Sequence, residues 1–143
     1  LRLLMFLASS GRQASVDEVA SVFGVSRHHL MKVAHQLTTL GLVEARRGRG
    51  GGLRLARPAQ EIVVGQVVRA LESTSGFAEC FDAGTNRCRI AGACGLQGAL
   101  NLALGDFLAR LDRYTLADLM PDRTRFARLL GIEAPGGEGS LAG

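Results

Sequence analysis

Apolar side chains in residues 1–41 follow the spacing of three helices. Residues 1–8 are apolar on most sides, which predicts a helix that is largely buried. Ser15 and Glu18 have the spacing of a capping box and start a second, short helix. Ser26 caps a third helix, whose apolar positions recur at helical spacing: Leu30, Val33, Ala34, Leu37 and Leu40. The two short helices and the tight turn between them predict a helix-turn-helix.

Two strand-like runs, at 42–47 and 53–56, follow the helix-turn-helix and flank a glycine-rich stretch at 48–52. This pattern is typical of a β-hairpin. A hairpin directly after a helix-turn-helix predicts the wing of a winged helix. The glycine-rich tip lacks the Lys-Ser/Thr pair of a phosphate-binding loop, which argues against a nucleotide site.

The longest predicted helix runs from about Leu96 to Arg113. Its apolar positions alternate by four and three, which is the spacing of a helix-pairing seam, and we expect them at a dimer interface: Leu100, Leu104, Phe107, Leu111 and Tyr114. The alternative is that this seam packs within its own domain. The predicted fold class is mainly α with a small β-hairpin, a winged helix-turn-helix followed by a long C-terminal dimerisation helix.

We divide the chain into four functional segments. Residues 1–72 are the predicted winged-helix DNA-binding domain, and 73–95 form a cysteine-containing loop. Residues 96–130 hold the dimerisation helix and the C-terminal helices. Residues 131–143 are rich in glycine and lack any apolar period, which predicts a flexible tail.

Positive charge is concentrated in the helix-turn-helix and the hairpin. The formal net charge is +4, and residues 27–57 hold seven basic side chains against Glu44 alone. A local basic patch favours a polyanionic partner, here double-stranded DNA. The expected DNA-binding residues are Arg27, His28, His29, Lys32 and Gln36 on the helix, and Arg46, Arg47, Arg49 and Arg54 on the wing.

All three cysteines, Cys80, Cys88 and Cys94, lie in one loop with the spacing C-x7-C-x5-C. Zinc loops usually contain a C-x2–4-C pair, which is absent, whereas wide and uneven gaps suit an iron–sulfur cluster. Arg87 and Arg89 flank Cys88, and nearby cations favour the metal-binding thiolate. Spacing alone leaves three alternatives: a cluster, free or redox-active thiols, and zinc.

The lengths of the apolar runs and the pattern at the N-terminus bear on where the protein is located and on whether residues precede Leu1. No apolar run approaches the length of a membrane span, and nothing resembles a signal peptide. We therefore expect a cytoplasmic protein with reduced thiols and no membrane partner. Leu1 lies inside an apolar helical pattern, so we expect further residues to precede it.

The winged helix, the cysteine loop and the long helix, in this order, resemble the family of winged-helix iron–sulfur repressors that includes NsrR, IscR and RirA. The matching stretches are V-S-R-H-H-L-M-K-V (25–33), L-V-E-A-R-R-G-R-G-G-G-L-R-L (42–55), the cysteine loop and L-D-R-Y-T-L-A-D-L (111–119). They span most of residues 1–120, and the last is most similar to the nitric-oxide-sensing members.

The resemblance implies a ligand set for an iron–sulfur cluster. Cys80, Cys88 and Cys94 match the family's cluster ligands, and a 4Fe–4S cluster is favoured over 2Fe–2S. In nitric-oxide-sensing members the fourth ligand can be a partner-subunit carboxylate, at a position that would precede Leu1. Other members use a histidine shortly after the third cysteine, but residues 95–98 contain none.

The resemblance also implies a function: a homodimeric repressor that binds operator DNA and senses nitric oxide through its cluster. The nearer alternative is a repressor of the same family that senses iron or iron–sulfur status. A redox or zinc protein that does not bind DNA is the more distant alternative. No general base, substrate motif or second cofactor motif is present, so we do not expect an enzyme.

Overall fold

The computed structural model describes residues 1–46, 48, 50–72, 76–82 and 84–132. The helices are α1 (Arg2–Ser10), α2 (Val16–Phe23), α3 (Arg27–Thr39), α4 (Val64–Leu71), α5 (Gly95–Leu111) and α6 (Arg123–Leu129), and the strands are β1 (Val43–Arg46) and β2 (Gly52–Leu55). Single 3-10 turns lie at Ala59–Glu61, Glu79–Phe81 and Ala117–Leu119. The predicted class, mainly α with a small β-hairpin, is confirmed.

Contacts divide the chain into two units. The winged unit comprises Leu1–Ile62 and the described residues from Thr115 onward, and the cysteine unit comprises Val63–Tyr114. The chain returns to the winged unit at Thr115, and the Leu116 amide donates to the Ile62 carbonyl at 2.8 Å. The predicted functional boundaries at 72 and 95 stay predictions.

The core of the winged unit is built around α1, which buries seven of its nine residues. Leu4 and Phe6 are fully buried, and the Phe6 ring meets Phe23 of α2 edge-on at 6.3 Å between centroids. α1 also packs on β2 and α6. Ser9, although polar, is buried because its hydroxyl donates to the Met120 sulfur at 3.1 Å. The predicted buried first helix is confirmed.

The two helices of the helix-turn-helix begin at the predicted caps. The Ser15 hydroxyl accepts from the Glu18 amide at 3.0 Å, and the Ser26 hydroxyl accepts from the His29 amide at 3.4 Å. The Glu18 carboxylate accepts hydrogen bonds first from the Arg12 guanidinium and also from the Ser15 amide, which lower its pKa from the ordinary value. The two serine caps satisfy first-turn amides that a helix otherwise leaves unpaired.

The wing is an antiparallel pair in which Val43 faces Leu55 and Arg46 faces Gly52. Ala14 extends this sheet through an isolated bridge to Leu53, with nitrogen-to-oxygen distances of 3.0 and 2.7 Å. Gly52 has φ +156°, and a Cβ there would lie 2.6 Å from the Ala14 carbonyl oxygen. Only glycine lets the hairpin approach this bridging segment so closely.

The cysteine unit consists of α4, the cysteine loop and α5. α4 packs on α5, and the Val64 amide donates to the Tyr114 carbonyl at 2.9 Å. Arg69 forms a bidentate ion pair with Asp112, with Nη1–Oδ1 and Nη2–Oδ2 distances of 2.6 and 2.7 Å. Gly65 is needed at this contact, because a Cβ there would lie 2.8 Å from the Asp112 amide nitrogen. These contacts bind the two helices together.

Candidate DNA-binding surface and cysteine loop

α3 separates apolar from polar side chains, as a recognition helix requires. Its buried residues are Leu30, Ala34 and Leu37. The opposite side is exposed and carries four of the predicted DNA-binding residues: His28, His29, Lys32 and Gln36. Such a face presents hydrogen-bond donors and acceptors that fit the edges of bases in a major groove.

Arg27 is also exposed, but it is already engaged within the chain. Its Nε atom donates to the Asp17 carboxylate at 2.6 Å, and its guanidinium lies 3.2 Å from the Met31 sulfur. Asp17 belongs to α2, so the pair bridges the two helices of the helix-turn-helix. Arg27 would contact DNA only as part of this pair or after leaving it.

The wing repeats this arrangement at Arg54. Arg54 stands directly opposite Glu44 in the hairpin, and its Nε atom donates to that carboxylate at 2.8 Å. Arg46 is exposed at the end of β1. Arg47 and Arg49 lie outside the described residues. The described part of the wing therefore presents one arginine without an ion pair and one that is paired across the strands.

Sequence patterns did not reveal the Arg27–Asp17 pair or the exposed Met31, whose side chain is 45% accessible on α3. The Arg54–Glu44 pair had a usable signal, because the hairpin register places those two positions opposite each other. Asp17 and Arg27 lie ten residues apart across a turn, and only the packing of α2 on α3 brings them together.

The cysteine loop holds three free thiols. Cys94 immediately precedes α5 and is partly buried, and Cys80 lies in the 3-10 turn Glu79–Phe81 and is also partly buried. Cys88 is exposed. The Gln97 side chain, in the first turn of α5, donates to the Cys80 carbonyl at 2.8 Å. Cys80 and Cys94 are thus both attached to the beginning of α5.

Two carboxylates order the backbone between Cys80 and Cys88. Glu79 accepts from the Arg87 amide at 2.6 Å. Asp82 accepts from the Gly84 amide at 2.9 Å and from Thr85, and these bonds lower the pKa of Asp82, with Gly84 the largest cause. These bonds fix the described backbone on this stretch, although much of it is exposed.

The donor chemistry of the loop fits an iron–sulfur cluster. Its three unpaired thiols lie within fifteen residues of sequence, and thiolates are the ligands that hold such clusters. Across the described residues, no three His, Cys, Asp or Glu side chains are already arranged around a single metal position. The three thiols would therefore have to come together when a cluster binds.

Four of the five residues of the predicted dimer seam lie on α5, a helix of 17 residues in which no residue is buried, and Tyr114 lies after its end. Leu100, Leu104 and Leu111 are half-buried, while Phe107 and Tyr114 are exposed. Phe107 and Leu104 also line a small apolar groove of about 270 Å³ with Phe77 and Ala103. Within the described part of the chain, no helix combines the length and apolar character needed to cross a membrane.

A helix-turn-helix with an exposed polar recognition face, followed by a β-hairpin wing, defines a DNA-binding regulator. Residues 1–122 match the Rrf2 family, described as iron-dependent transcriptional regulators. The chain belongs to the Rrf2 family. The expectation that it is a transcriptional regulator rather than an enzyme is confirmed.

Individual relatives cover nearly the whole chain. It is 45% identical over 135 residues to the HTH-type transcriptional regulator NsrR of Bacillus subtilis, covering 93% of this chain and 92% of that protein. It is 44% identical over 135 residues to NsrR of Oceanobacillus iheyensis, with the same coverage. Among solved structures it is similar to T. potens IscR, with a TM-score of 0.66, 25% identity, and coverage of 94% of this chain and 86% of that chain.

Proposed function

We propose that this protein is a homodimeric transcriptional repressor that binds operator DNA while Cys80, Cys88 and Cys94 hold an iron–sulfur cluster, and that nitric oxide releases it from DNA. The observation that carries the proposal is the placement of three free thiols in one loop, where Cys94 leads directly into α5 and the Cys80 carbonyl accepts a hydrogen bond from Gln97 of that helix. The NsrR relatives, which are 45% and 44% identical over 135 residues, support this assignment.

The start of α5 suits negatively charged ligands of a cluster. Its first amides have no side-chain cap, because Cys94 occupies the capping position without accepting a hydrogen bond. Unpaired amides and the helix dipole favour negative charge at that end. Gln97 keeps the Cys80 backbone next to these amides. The start of α5 therefore offers a suitable place for an anionic cluster held by Cys80 and Cys94.

Ligation would couple the loop to the helix that we expect to form the dimer. A bound cluster supplies iron that reacts with nitric oxide. Cys80, Cys88 and Cys94 hold the loop in one conformation while all three are ligands, and loss of that ligation frees residues 80–94. A difference of about 3 kcal/mol between the two states in their affinity for DNA corresponds to more than a hundredfold in binding.

The DNA contacts follow from the winged helix. α3 would enter the major groove, where Arg27 is suited to guanine and Gln36 to adenine. His28, His29 and Lys32 would contact neighbouring bases or phosphates. The wing arginines Arg46, Arg47, Arg49 and Arg54 would reach phosphates or the minor groove. In a dimer, two copies of α3 would read half-sites about one helical turn apart.

The nearer alternative is a sensor of iron or of iron–sulfur status, and the family description as iron-dependent regulators favours it. The two signals can be separated. Anaerobic nitric oxide at constant iron should release DNA if nitric oxide is the signal. A weak chelator that lowers only free iron, without nitric oxide, should release DNA only in the alternative. A nitric-oxide sensor would keep its cluster under these conditions.

The decisive experiment starts from anaerobically purified protein. Absorbance and Mössbauer spectra should show an iron–sulfur cluster, which we expect to be 4Fe–4S. DNA selected from a random library by the cluster-loaded protein then serves as the operator. We expect the apo-protein, and the loaded protein after nitric oxide, to bind this DNA at least about a hundredfold more weakly. Equal binding by apo and loaded protein would contradict the proposal.

Replacing one ligand tests the residue assignment. Cys88→Ala should abolish the cluster spectrum and high-affinity DNA binding, while far-UV circular dichroism keeps the helical signal of the winged unit. Ile90→Ala is the matched control, since Ile90 lies in the same loop, is 62% exposed and has no ligand atom. Retention of a normal cluster in Cys88→Ala would remove Cys88 from the ligand set.

A further inference from the structure

A cavity of about 490 Å³ lies within the winged unit, between the end of α1, the end of β2 with the residues that follow it, and the start of α6. This volume is in the range occupied by small-molecule sites. Four arginines line it, Arg12, Arg54, Arg57 and Arg123, and none of its described lining residues is acidic. The cavity is distinct from the exposed face of α3 and from the cysteine loop.

The positive charge of two of these arginines is neutralised by an ion pair with a glutamate. Arg12 pairs with Glu18, and Arg54 pairs with Glu44. Both guanidinium groups remain about half exposed. They contribute hydrogen-bond donors to the cavity but little net charge.

The other two arginines give the cavity its positive charge. Neither Arg57 nor Arg123 forms an ion pair within the described ranges. Arg57 donates only a long hydrogen bond, 3.4 Å, to the Gly41 carbonyl, and Arg123 donates to the Ala8 carbonyl. A carbonyl satisfies one donor of a guanidinium group that has five, so both side chains keep donors for a ligand.

The rest of the lining is mixed, with the amides of Gln13 and Gln60 among small and apolar residues. Leu7, Leu55 and Pro58 contribute hydrocarbon surface beside the guanidinium groups. A DNA backbone is convex and would contact a surface strip, whereas a concave site that combines several cationic groups with some apolar surface suits a small molecule. Guanidinium groups bind carboxylates and phosphates with two parallel hydrogen bonds.

From this arrangement we infer that the cavity binds a small organic anion with two acidic groups, carboxylate or phosphate, through Arg57 and Arg123. The occupant would touch the segment that supports the wing. Arg12 precedes Gln13, whose side chain donates to the Gly50 carbonyl at 2.9 Å, and Ala14, which pairs with Leu53. The site thus lies next to a DNA-binding element without using the exposed face of α3.

Calorimetric titration of the full-length chain tests the inference, with pyrophosphate and citrate as separate probes at about 0.15 M salt, which screens loose surface binding. We expect saturable binding of one equivalent of at least one probe. Arg57→Gln and Arg123→Gln should each weaken it about tenfold or more, because each removes a charge-assisted contact. Arg57→Lys keeps the charge and should recover part of the loss.

The control is Arg128→Gln, which makes the same charge change on α6 outside the cavity and should leave binding within about twofold. If Arg123→Gln unfolds the protein, Arg57→Gln decides alone. No saturable binding of either probe up to about 10 mM, or equal losses in all three glutamine variants, overturns the inference. So does an Arg57→Gln variant that binds both probes normally but binds non-specific DNA more weakly, since Arg57 would then serve the DNA backbone.

Discussion

The winged unit and the cysteine unit differ in what they bury. α1 of the winged unit buries seven of its nine residues, whereas α5 of the cysteine unit buries none of its seventeen. Yet α5 is rich in apolar residues, and Leu96, Leu102 and Phe107 are each more than half exposed. The apolar side chains of α1 find their partners within the winged unit. Much of the apolar surface of α5 has no such partner within the described chain.

The same difference is visible in how the two units hold their backbone. In the winged unit, side-chain caps at Ser15 and Ser26 and the bridge from Ala14 to Leu53 support a preformed DNA-binding surface. In the cysteine unit, α5 begins at Gly95, and Cys94, which precedes it, provides no side-chain cap. Under the proposed function, the winged unit is the fixed part of the regulator, and a ligand and a second copy complete the cysteine unit.

The strongest test of this comparison substitutes one leucine in each unit. Leu4→Ala should lower the free energy of unfolding by about 2–5 kcal/mol, because Leu4 is fully buried and its removal leaves a cavity. Leu102→Ala should change it by no more than about 0.5 kcal/mol, because Leu102 is 74% exposed. Urea unfolding followed by circular dichroism measures both. Similar losses in the two variants would mean that Leu102 is buried in solution.

The second test concerns the seam on α5. Phe107→Asp should raise the dimer dissociation constant by more than about a hundredfold, roughly 3 kcal/mol, because a carboxylate would be buried against an apolar surface. Sedimentation velocity should show a monomer that binds DNA weakly. Leu102→Asp is the control, since Leu102 is exposed on the same helix but lies outside the predicted seam. An unchanged dimer in Phe107→Asp would place the dimer contact elsewhere.

The features that local sequence determines were predictable. The caps at Ser15 and Ser26, the glycine-rich hairpin and the period of α3 each depend on residues a few positions apart, and the structure places helices and strands where these patterns predict them. The helix predicted over Leu96–Arg113 is observed as Gly95–Leu111, a shift of one to two residues at each end. Local chemistry decides these elements.

The features that depend on packing were not predictable. Residues 115–132 return to the winged unit, although sequence order alone grouped them with the dimerisation helix. The pairing of Arg27 with Asp17, the hydrogen bond from Gln97 to the Cys80 carbonyl and the arginine-lined cavity all join residues that no local pattern relates. The exposure of a charged residue could be foreseen, but its partner could not.

A third test compares two wing arginines. Arg49→Ala should reduce the slope of log affinity for DNA against log salt by about one unit, because one phosphate contact is lost. Arg54→Ala should reduce it less, since Arg54 is already paired with Glu44 and its replacement leaves that carboxylate near the DNA. Fluorescence anisotropy over a series of salt concentrations measures both slopes. An unchanged slope for Arg49→Ala would mean that the wing tip does not contact the backbone.

The smallest expected effect lies at the contact between α4 and α5. The hydrogen bonds from the Arg69 guanidinium, more than its charge alone, lower the pKa of Asp112 from the ordinary value of 3.8. A carboxyl whose pKa is lowered by folding stabilises the folded state above its unfolded pKa, and that contribution is lost as the pH falls through the folded pKa. Arg69→Gln should therefore raise the pKa of Asp112 toward 3.8.

Carbon-13 NMR of the side-chain carboxyl groups, titrated between about pH 2 and 6, measures this shift directly. Asp118 is the internal control, because hydrogen bonds from Thr115, and none from Arg69, lower its pKa. Its titration should be the same in both proteins. If Asp112 also titrates identically with and without Arg69, the ion pair does not persist in solution. The packing of α4 on α5, with its close contact between Gly65 and Asp112, would then hold the two helices together without the ion pair.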